Sequence, residues 1–400
     1  MIKYLSIENF YSIKNENIVE FDLNISSSDF LAHPTIGFAG TNASGKTNFI
    51  KALNFLVWFM GESSFTKENK MPIEHFIGAE ESPVKFNFIF CIKQEEYAYE
   101  LEISDNKVSK EILTINEEII YSRSFKNVIF GKSVTEFSTK DLKDTSSIIS
   151  FATNFDSHIS AQKIRDYSNS IKTNVNYQGH KDIEFESSIL TDLSEDKLIK
   201  SKALEIIKLA DFGITDFFIE NKEKHEVTQI LGKLKNNNVP KKLVKELEKA
   251  FDNNTLSIQS AFFKHQIGTI QPDFAPEKES SGTLQFFALI SMILPKLKTG
   301  GLVVIDEIEI KLHQNLVAYL IGLFQNPEVN KGSAQLIFTF HNSLFMDILQ
   351  PEQLWFAEKN NKGETELFCA ANFEDIEDIH KKSLEKLYRI GRFGAKPKGI

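Results

Sequence analysis

Apolar and polar positions alternate over residues 1–7 as in an edge strand, and an extended piece recurs around residues 18–23. Residues 35–39 form a short apolar run that leads directly into a glycine-rich stretch. Beyond it, Phe49, Ile50, Leu53, Leu56, Val57 and Met60 recur at helical spacing, which predicts a helix over residues 48–60. Residues 84–92, 97–103 and 107–113 then read as consecutive strands, with turns at 94–96 and 105–106. The simplest arrangement is a β-rich arm laid against a nucleotide-binding core.

The middle of the chain changes period. Residues 150–265 are more helical, with amphipathic spacing at 195–209 and 241–251 and a break at 236–240. These helices and their heptads are too short for a long coiled coil. A helix over 283–297, a buried strand over 302–305, a helix over 314–324 and a buried strand over 335–340 follow, and 354–358 and 366–369 close the pattern. The expectation is an α/β fold whose nucleotide site is split. Residues 1–114 form one half with the arm, 115–270 an inserted, mainly helical subdomain, and 271–400 the second half.

Composition narrows the class. With 42% hydrophobic and 25% charged residues, the chain reads as soluble and globular. A net charge of −9 argues against a protein that coats nucleic acid over its whole surface, while leaving room for a local basic patch. Cys91 and Cys369 are the only cysteines, so no disulfide framework is implied and a reducing cytosol fits. Charge enters the amino end too early for a signal peptide. Apolar runs such as 53–60 are far shorter than the roughly 20 residues a membrane span needs. A cytoplasmic protein without membrane contact is expected.

The chemistry sits at strand ends. Gly40-Thr41-Asn42-Ala43-Ser44-Gly45-Lys46-Thr47 fits G-x-x-x-x-G-K-[ST] without mismatch, between a predicted strand and a predicted helix. Such a loop curls so that backbone N–H groups cradle phosphates at a helix start. Gly40, Asn42, Gly45, Lys46, Thr47 and Asn48 are the candidate ATP-binding residues, with Lys46 reaching the β- and γ-phosphates and Thr47 ligating Mg²⁺. The run 302–305 ends in Asp306-Glu307: Asp306 is placed to hold Mg²⁺ and Glu307 to act as general base on the attacking water. His341 follows another buried strand, where it can bond the γ-phosphate; the plainer reading is a polar strand end. Lys311-Leu312-His313 is placed in a loop that crosses between subunits, or His313 is a packed surface residue.

Glu279-Ser280-Ser281-Gly282-Thr283 completes the set. Ser280 lies 26 positions before Asp306 (306 minus 280), at the start of a predicted helix. Ser280 and Gly282 make a second anion-binding helix start, one that meets the γ-phosphate of a partner's ATP; the plainer reading is a serine N-cap.

Together, Asn9-Phe10, the phosphate loop, 279–283, Asp306-Glu307 and His341 resemble the ABC-type ATPases of the SMC, RecF and OLD lineage. The chain is most similar to short bacterial AAA-type members of phage-defence and abortive-infection operons, such as the ATPase of the PARIS system and RloB-associated ATPases. The ending Tyr388…Gly391-Arg392-Phe393-Gly394-Ala395-Lys396-Pro397 is also like theirs. The resemblance implies an ABC-type head, a homodimer or higher oligomer formed through the ATP sites, and hydrolysis that controls a separate effector. No coiled coil of SMC length fits, and only 59 residues (400 minus 341) follow His341, too few for an OLD-type nuclease domain. Any nuclease or toxin is therefore expected to be a separate protein. Gln94 and Gln178 are the weak candidates for a Mg²⁺-sensing glutamine. Lys381, Lys382, Lys386, Arg389, Arg392, Lys396 and Lys398 crowd the end and suit a nucleic acid, an acidic partner or a solvated face equally. A RecF-like DNA-repair clamp is the alternative function.

Overall fold

The computed structural model describes residues 1–25, 29–66, 70–155, 159–173, 190, 193–210, 213–221 and 259–395. The chain divides into two compact units, Met1–Asn174 with Lys296–Ile400, and Val175–Pro295. In chain order the first strands are β1 (Ile2–Glu8), β2 (Asn17–Glu20) and β3 (Thr35–Ala39), followed by the helix Lys46–Glu62. Then come β4 (Val84–Ile92), β5 (Glu95–Ser104), β6 (Lys107–Ile115), β7 (Glu118–Ser124), β8 (Asn127–Phe130) and β9 (Lys172–Thr173). The second unit holds β10 (Ile214–Asn221), β11 (Gln259–His265) and β12 (Asp273–Phe274). The first unit resumes with β13 (Leu302–Ile305), β14 (Gln335–Thr339), β15 (Leu354–Lys359) and β16 (Thr365–Cys369).

The arm is a seven-stranded sheet of order β2-β1-β4-β5-β6-β7-β8, antiparallel throughout. Its period-two burial puts Phe86, Phe88 and Phe90 of β4 on the covered face. There Phe90 stacks on Tyr97 across the strand pair and on Tyr167 of the helix Ile159–Ser170. Asp105-Asn106 and Asn116-Glu117 carry positive φ at both central positions, the two-residue turns that suit right-twisted hairpins. The arm thus runs past residue 114, through a stretch expected to be helical. The reason is visible at its edge: Ile119 and Ile129 point to solvent, so the apolar pattern there is not a clean alternation.

Asn9 explains its own place in the sequence. Its backbone is left-handed (φ 57°), its Nδ2 donates to Ala79 O and Ser82 O, and its Oδ1 accepts from Phe76 N–H. Asparagine tolerates this conformation and satisfies three backbone groups of a neighbouring loop at once. Phe10 beside it is fully buried, edge-on to Phe86.

The core sheet has order β16-β15-β3-β14-β13-β9, with β15, β3, β14, β13 and β9 parallel and β16 antiparallel at one edge. Every residue of β3, β13 and β14 is buried, as expected of parallel strands covered on both faces. Phe49 of the helix Lys46–Glu62 packs 4.3 Å (ring centroids) from Phe38 of β3, fixing that helix over the strand it follows. No long coiled coil occurs among the described residues.

In the second unit the helix Lys197–Leu209 forms as its spacing predicts, capped by Asp196. β10, β11 and β12, however, make a three-stranded antiparallel sheet in and beside the stretch read as helical. Phe217 and Phe218 of β10 pair with Phe263 and Phe262 of β11, and Phe217 and Phe263 both meet Phe287 edge-on. The helix expected at 241–251 and the break at 236–240 lie outside the described residues.

Candidate nucleotide site

β3 delivers the chain into the loop 40–45 and the loop opens the helix Lys46–Glu62. Two glycines make the turn possible. Gly40 has φ +148°, and a Cβ there would stand 2.3 Å from Ala357 O; Gly45 has φ +108°, and a Cβ would stand 2.2 Å from Thr365 Oγ1. Both neighbours come from the β15–β16 hairpin, which backs the loop. Lys46 curls over the loop, donating to Gly40 O (2.7 Å) and Thr41 O (2.9 Å). Burial holds its ammonium below the usual lysine range, against the opposing pull of Asp306, Glu307 and Glu309.

On the facing side, β13 and β14 end together. Asp306 Oδ2 accepts from Thr47 Oγ1 at 3.1 Å, and its Oδ1 accepts from Thr339 Oγ1 at 2.5 Å. The Thr339 hydroxyl also accepts the Glu307 N–H at 2.7 Å, so one buried threonine sets both acidic residues. Glu307 is left-handed (φ 54°), a conformation that costs a non-glycine residue about 1–3 kcal/mol and clusters at functional sites. Its Oε1 lies 3.2 Å from His341 Nε2, with the two side chains 44% and 35% exposed, open to an incoming ligand. One hydroxyl and one carboxylate 3.1 Å apart suit Mg²⁺, which is commonly held by few protein oxygens together with phosphates. Among the described residues no cluster of three or more His, Cys, Asp or Glu would hold a metal by itself.

This geometry is that of a P-loop ATPase, and a family model described as "AAA domain, putative AbiEii toxin, Type IV TA system" matches residues 36–347, most of the chain. The chain belongs to this family. It is accordingly a nucleotide-hydrolysing ATPase of the AAA class. No curated protein matches it. Among solved structures it is similar to the SMC head domain from Thermotoga maritima, at 14% identity over 92% of this chain and 98% of that one, with a TM-score of 0.43.

The remaining expected residues of the AAA domain fall in several places. Asn42 is exposed on the loop. The Asn48 side chain is engaged elsewhere: its Nδ2 donates to Ser12 Oγ at 2.7 Å. That hydroxyl is 2.7 Å from Thr365 Oγ1, which donates to Ser44 O, so Asn48 belongs to the network bracing the loop from outside. His313 is the N-cap of the helix Gln314–Gln325, its Nδ1 accepting from Asn315 N–H. Ser280 and Gly282 lie in the second unit. Ser280 Oγ accepts from Thr283 N–H at 3.0 Å and lies 2.8 Å from Thr283 Oγ1, which is the plainer N-cap reading of that motif. The Ser281 and Gly282 N–H groups still stand outside the helix's own ladder. Glu279 beside them is paired to His265 Nε2 at 2.5 Å.

Gln94 is in the β4–β5 turn, and Gln178 lies outside the described residues, as do Lys396 and Lys398. At the basic end, Lys381, Arg389 and Arg392 pair with Asp378, Glu385 and Asp375. No described helix is long and apolar enough to cross a membrane. Thr339, Glu309 and Thr365 join the site without belonging to any motif of the sequence. Thr339 had a signal, a lone hydroxyl ending an apolar strand; the other two act through contacts made by folding.

Proposed function

We propose that the AAA domain binds ATP with Mg²⁺, hydrolyses it at a site completed by a second copy, and serves as sensor or scaffold of a bacterial anti-phage system with a separate nuclease or toxin as effector. The observation that carries the hydrolytic part is the pair of contacts Thr47–Asp306 and Glu307–His341 at the mouth of the phosphate loop. Lys46, Gly40, Gly45 and the loop N–H groups bind the β- and γ-phosphates. Thr47 and Asp306 hold Mg²⁺, which neutralises charge on the phosphates when bound. Glu307 takes a proton from the water that attacks the γ-phosphorus, the bond from that phosphorus to the bridging oxygen breaks, and the electrons leave with ADP. His341 orients Glu307 and contacts the γ-phosphate. Ser280 and the Ser281–Gly282 N–H groups close on that phosphate from the partner.

The family's description, with its toxin and toxin–antitoxin terms, supports an output through another protein. The local pairing of Lys381, Arg389 and Arg392 supports a protein effector over a nucleic acid. Glu307→Gln should abolish turnover and accumulate an ATP-bound dimer, read by light scattering on a sizing column. Normal turnover in that variant removes the general-base assignment. Ser280→Ala should lose turnover but keep nucleotide binding, with about 1 kcal/mol of cap stability lost as a separate effect on melting. Steep, salt-dependent binding of DNA by the chain alone would favour the repair clamp instead.

A further inference from the structure

His341 is tied to the segment after β13 twice, in opposite directions. Its imidazole meets Glu307. Its backbone N–H, and that of Asn342 at 3.3 Å, both donate to Glu309 Oε1. Two consecutive N–H groups converging on one point make an anion-binding nest, and here a carboxylate of the same chain fills it. The other Glu309 oxygen, Oε2, is buried without a hydrogen-bond partner among the described residues, an arrangement proteins avoid unless the residue has work at that position. Glu309 does not stand alone either. Ile310 N–H donates to Glu307 O, and Leu312 N–H to Glu309 O, so 307–312 is a staircase of tight turns ending at the His313 cap.

We propose that Glu309 is a positioning residue for hydrolysis: its carboxylate clamps the His341–Asn342 turn so that the imidazole stands against Glu307, and joins that turn to the 310–313 segment. The other contacts that hold the turn are local or exposed: Asn342 Oδ1 accepts from Leu344 N–H, Asn342 O accepts from Phe345 N–H, and the ring contact at 3.2 Å joins half-exposed side chains, so the carboxylate is what ties the turn to the segment after β13. A displacement of His341 on binding or losing a γ-phosphate is carried by the same carboxylate into the start of the helix Gln314–Gln325. The inference rests on the assignment of Glu307 and His341 to hydrolysis, and it separates from that assignment experimentally.

The test is steady-state ATPase activity of the full chain in five variants. Glu309→Asp keeps the charge but falls one methylene short of the two N–H groups; Glu309→Gln keeps the reach and an accepting oxygen but drops the charge. Glu309→Ala and Glu309→Asp should lower kcat by about 100-fold, the scale of a displaced catalytic group, with KM for ATP little changed. Glu309→Gln should stay close to the parent rate. Glu309→Ala with His341→Ala should be no slower than His341→Ala alone, because both act through one imidazole. The reverse order, a fast Asp and a slow Gln variant, overturns the proposal, as do an unchanged kcat in Glu309→Ala or losses that multiply in the double variant. If Glu309→Ala does not fold, the Asp–Gln comparison decides. Full turnover in His341→Ala would instead remove the reading on which the inference rests.

Discussion

Gly45→Ala should cripple nucleotide binding for two separable reasons, and their sizes follow from the structure. Gly45 has φ +108°, and its missing Cβ would lie 2.2, 2.7 and 3.0 Å from Oγ1, Cγ2 and Cβ of Thr365. The left-handed side of the backbone map costs an L side chain about 1–2 kcal/mol. Thr365 cannot yield freely, because its hydroxyl donates to Ser44 O and contacts Ser12 Oγ. Displacing it forfeits two hydrogen bonds worth about 1 kcal/mol each. The alanine loop therefore relaxes out of its phosphate-binding shape, and nucleotide binding must reverse a shift of about 3–4 kcal/mol. At about 1.4 kcal/mol per tenfold, affinity falls about 100- to 1000-fold.

Titration with a fluorescent ATP analogue measures the loss, and a thermal melt checks that the fold persists. Thr365→Ala added to Gly45→Ala removes the two shortest contacts, at 2.2 and 2.7 Å, but neither the Cβ contact at 3.0 Å nor the strained backbone, so it should recover up to about half of the lost free energy. The matched control is Gly40→Ala, whose Cβ would meet the backbone carbonyl of Ala357 at 2.3 Å. No side-chain truncation relieves that clash, and Thr365→Ala should not rescue it. Wild-type affinity in Gly45→Ala, or equal rescue of both glycines, would refute the reasoning.

Thr339→Val keeps shape but strips Asp306 of a donor and the Glu307 N–H of its acceptor; half-saturating Mg²⁺ for turnover should rise about tenfold, and an unchanged Mg²⁺ titration would count against it. In the arm, Glu111 is fully buried and accepts from Tyr99, Tyr121, Arg123 and the Ile148 N–H. Arg123→Met leaves that carboxyl without its cation and should cost about 3–5 kcal/mol in denaturant unfolding. Burial holds the Glu111 carboxyl above its usual range, so the folded variant binds a proton more readily than the unfolded chain. Its deficit should therefore grow as pH rises from about 5 to about 7, and a deficit that shrinks would be the wrong sign. Burial pushes the Cys369 thiol up to about 12 and raises Cys91 as well, so neither should react with a maleimide in the folded chain at about pH 8; rapid labelling of either would contradict the packing.

What the sequence discloses and what it hides divide along contact distance in the chain. Gly40 to Thr47 is consecutive, and Asp306-Glu307 ends a continuous apolar run, so each announces its own chemistry. Asn48 shows the limit of that logic. Its place after Thr47 suggests a phosphate contact, yet its amide is spent on Ser12, and through that hydroxyl on Thr365. The loop's rigidity comes from residues at both ends of the chain that no local window can connect. The strands β7 and β8 were obscured because Ile119 and Ile129 lie on the solvent side, and β10 and β11 because 37 residues (222–258) separate them. Glu309 was hidden for a subtler reason. A carboxylate two positions after the proposed general base looks like surface charge, and only the meeting of β13 with β14 turns it toward the His341 and Asn342 N–H groups. The same meeting makes Thr339 serve two acids at once. Sequence motifs in this site therefore name the groups proposed to touch nucleotide, whereas the groups that aim them belong to the sheet. A variant series confined to the motifs would measure chemistry and miss the frame that times it.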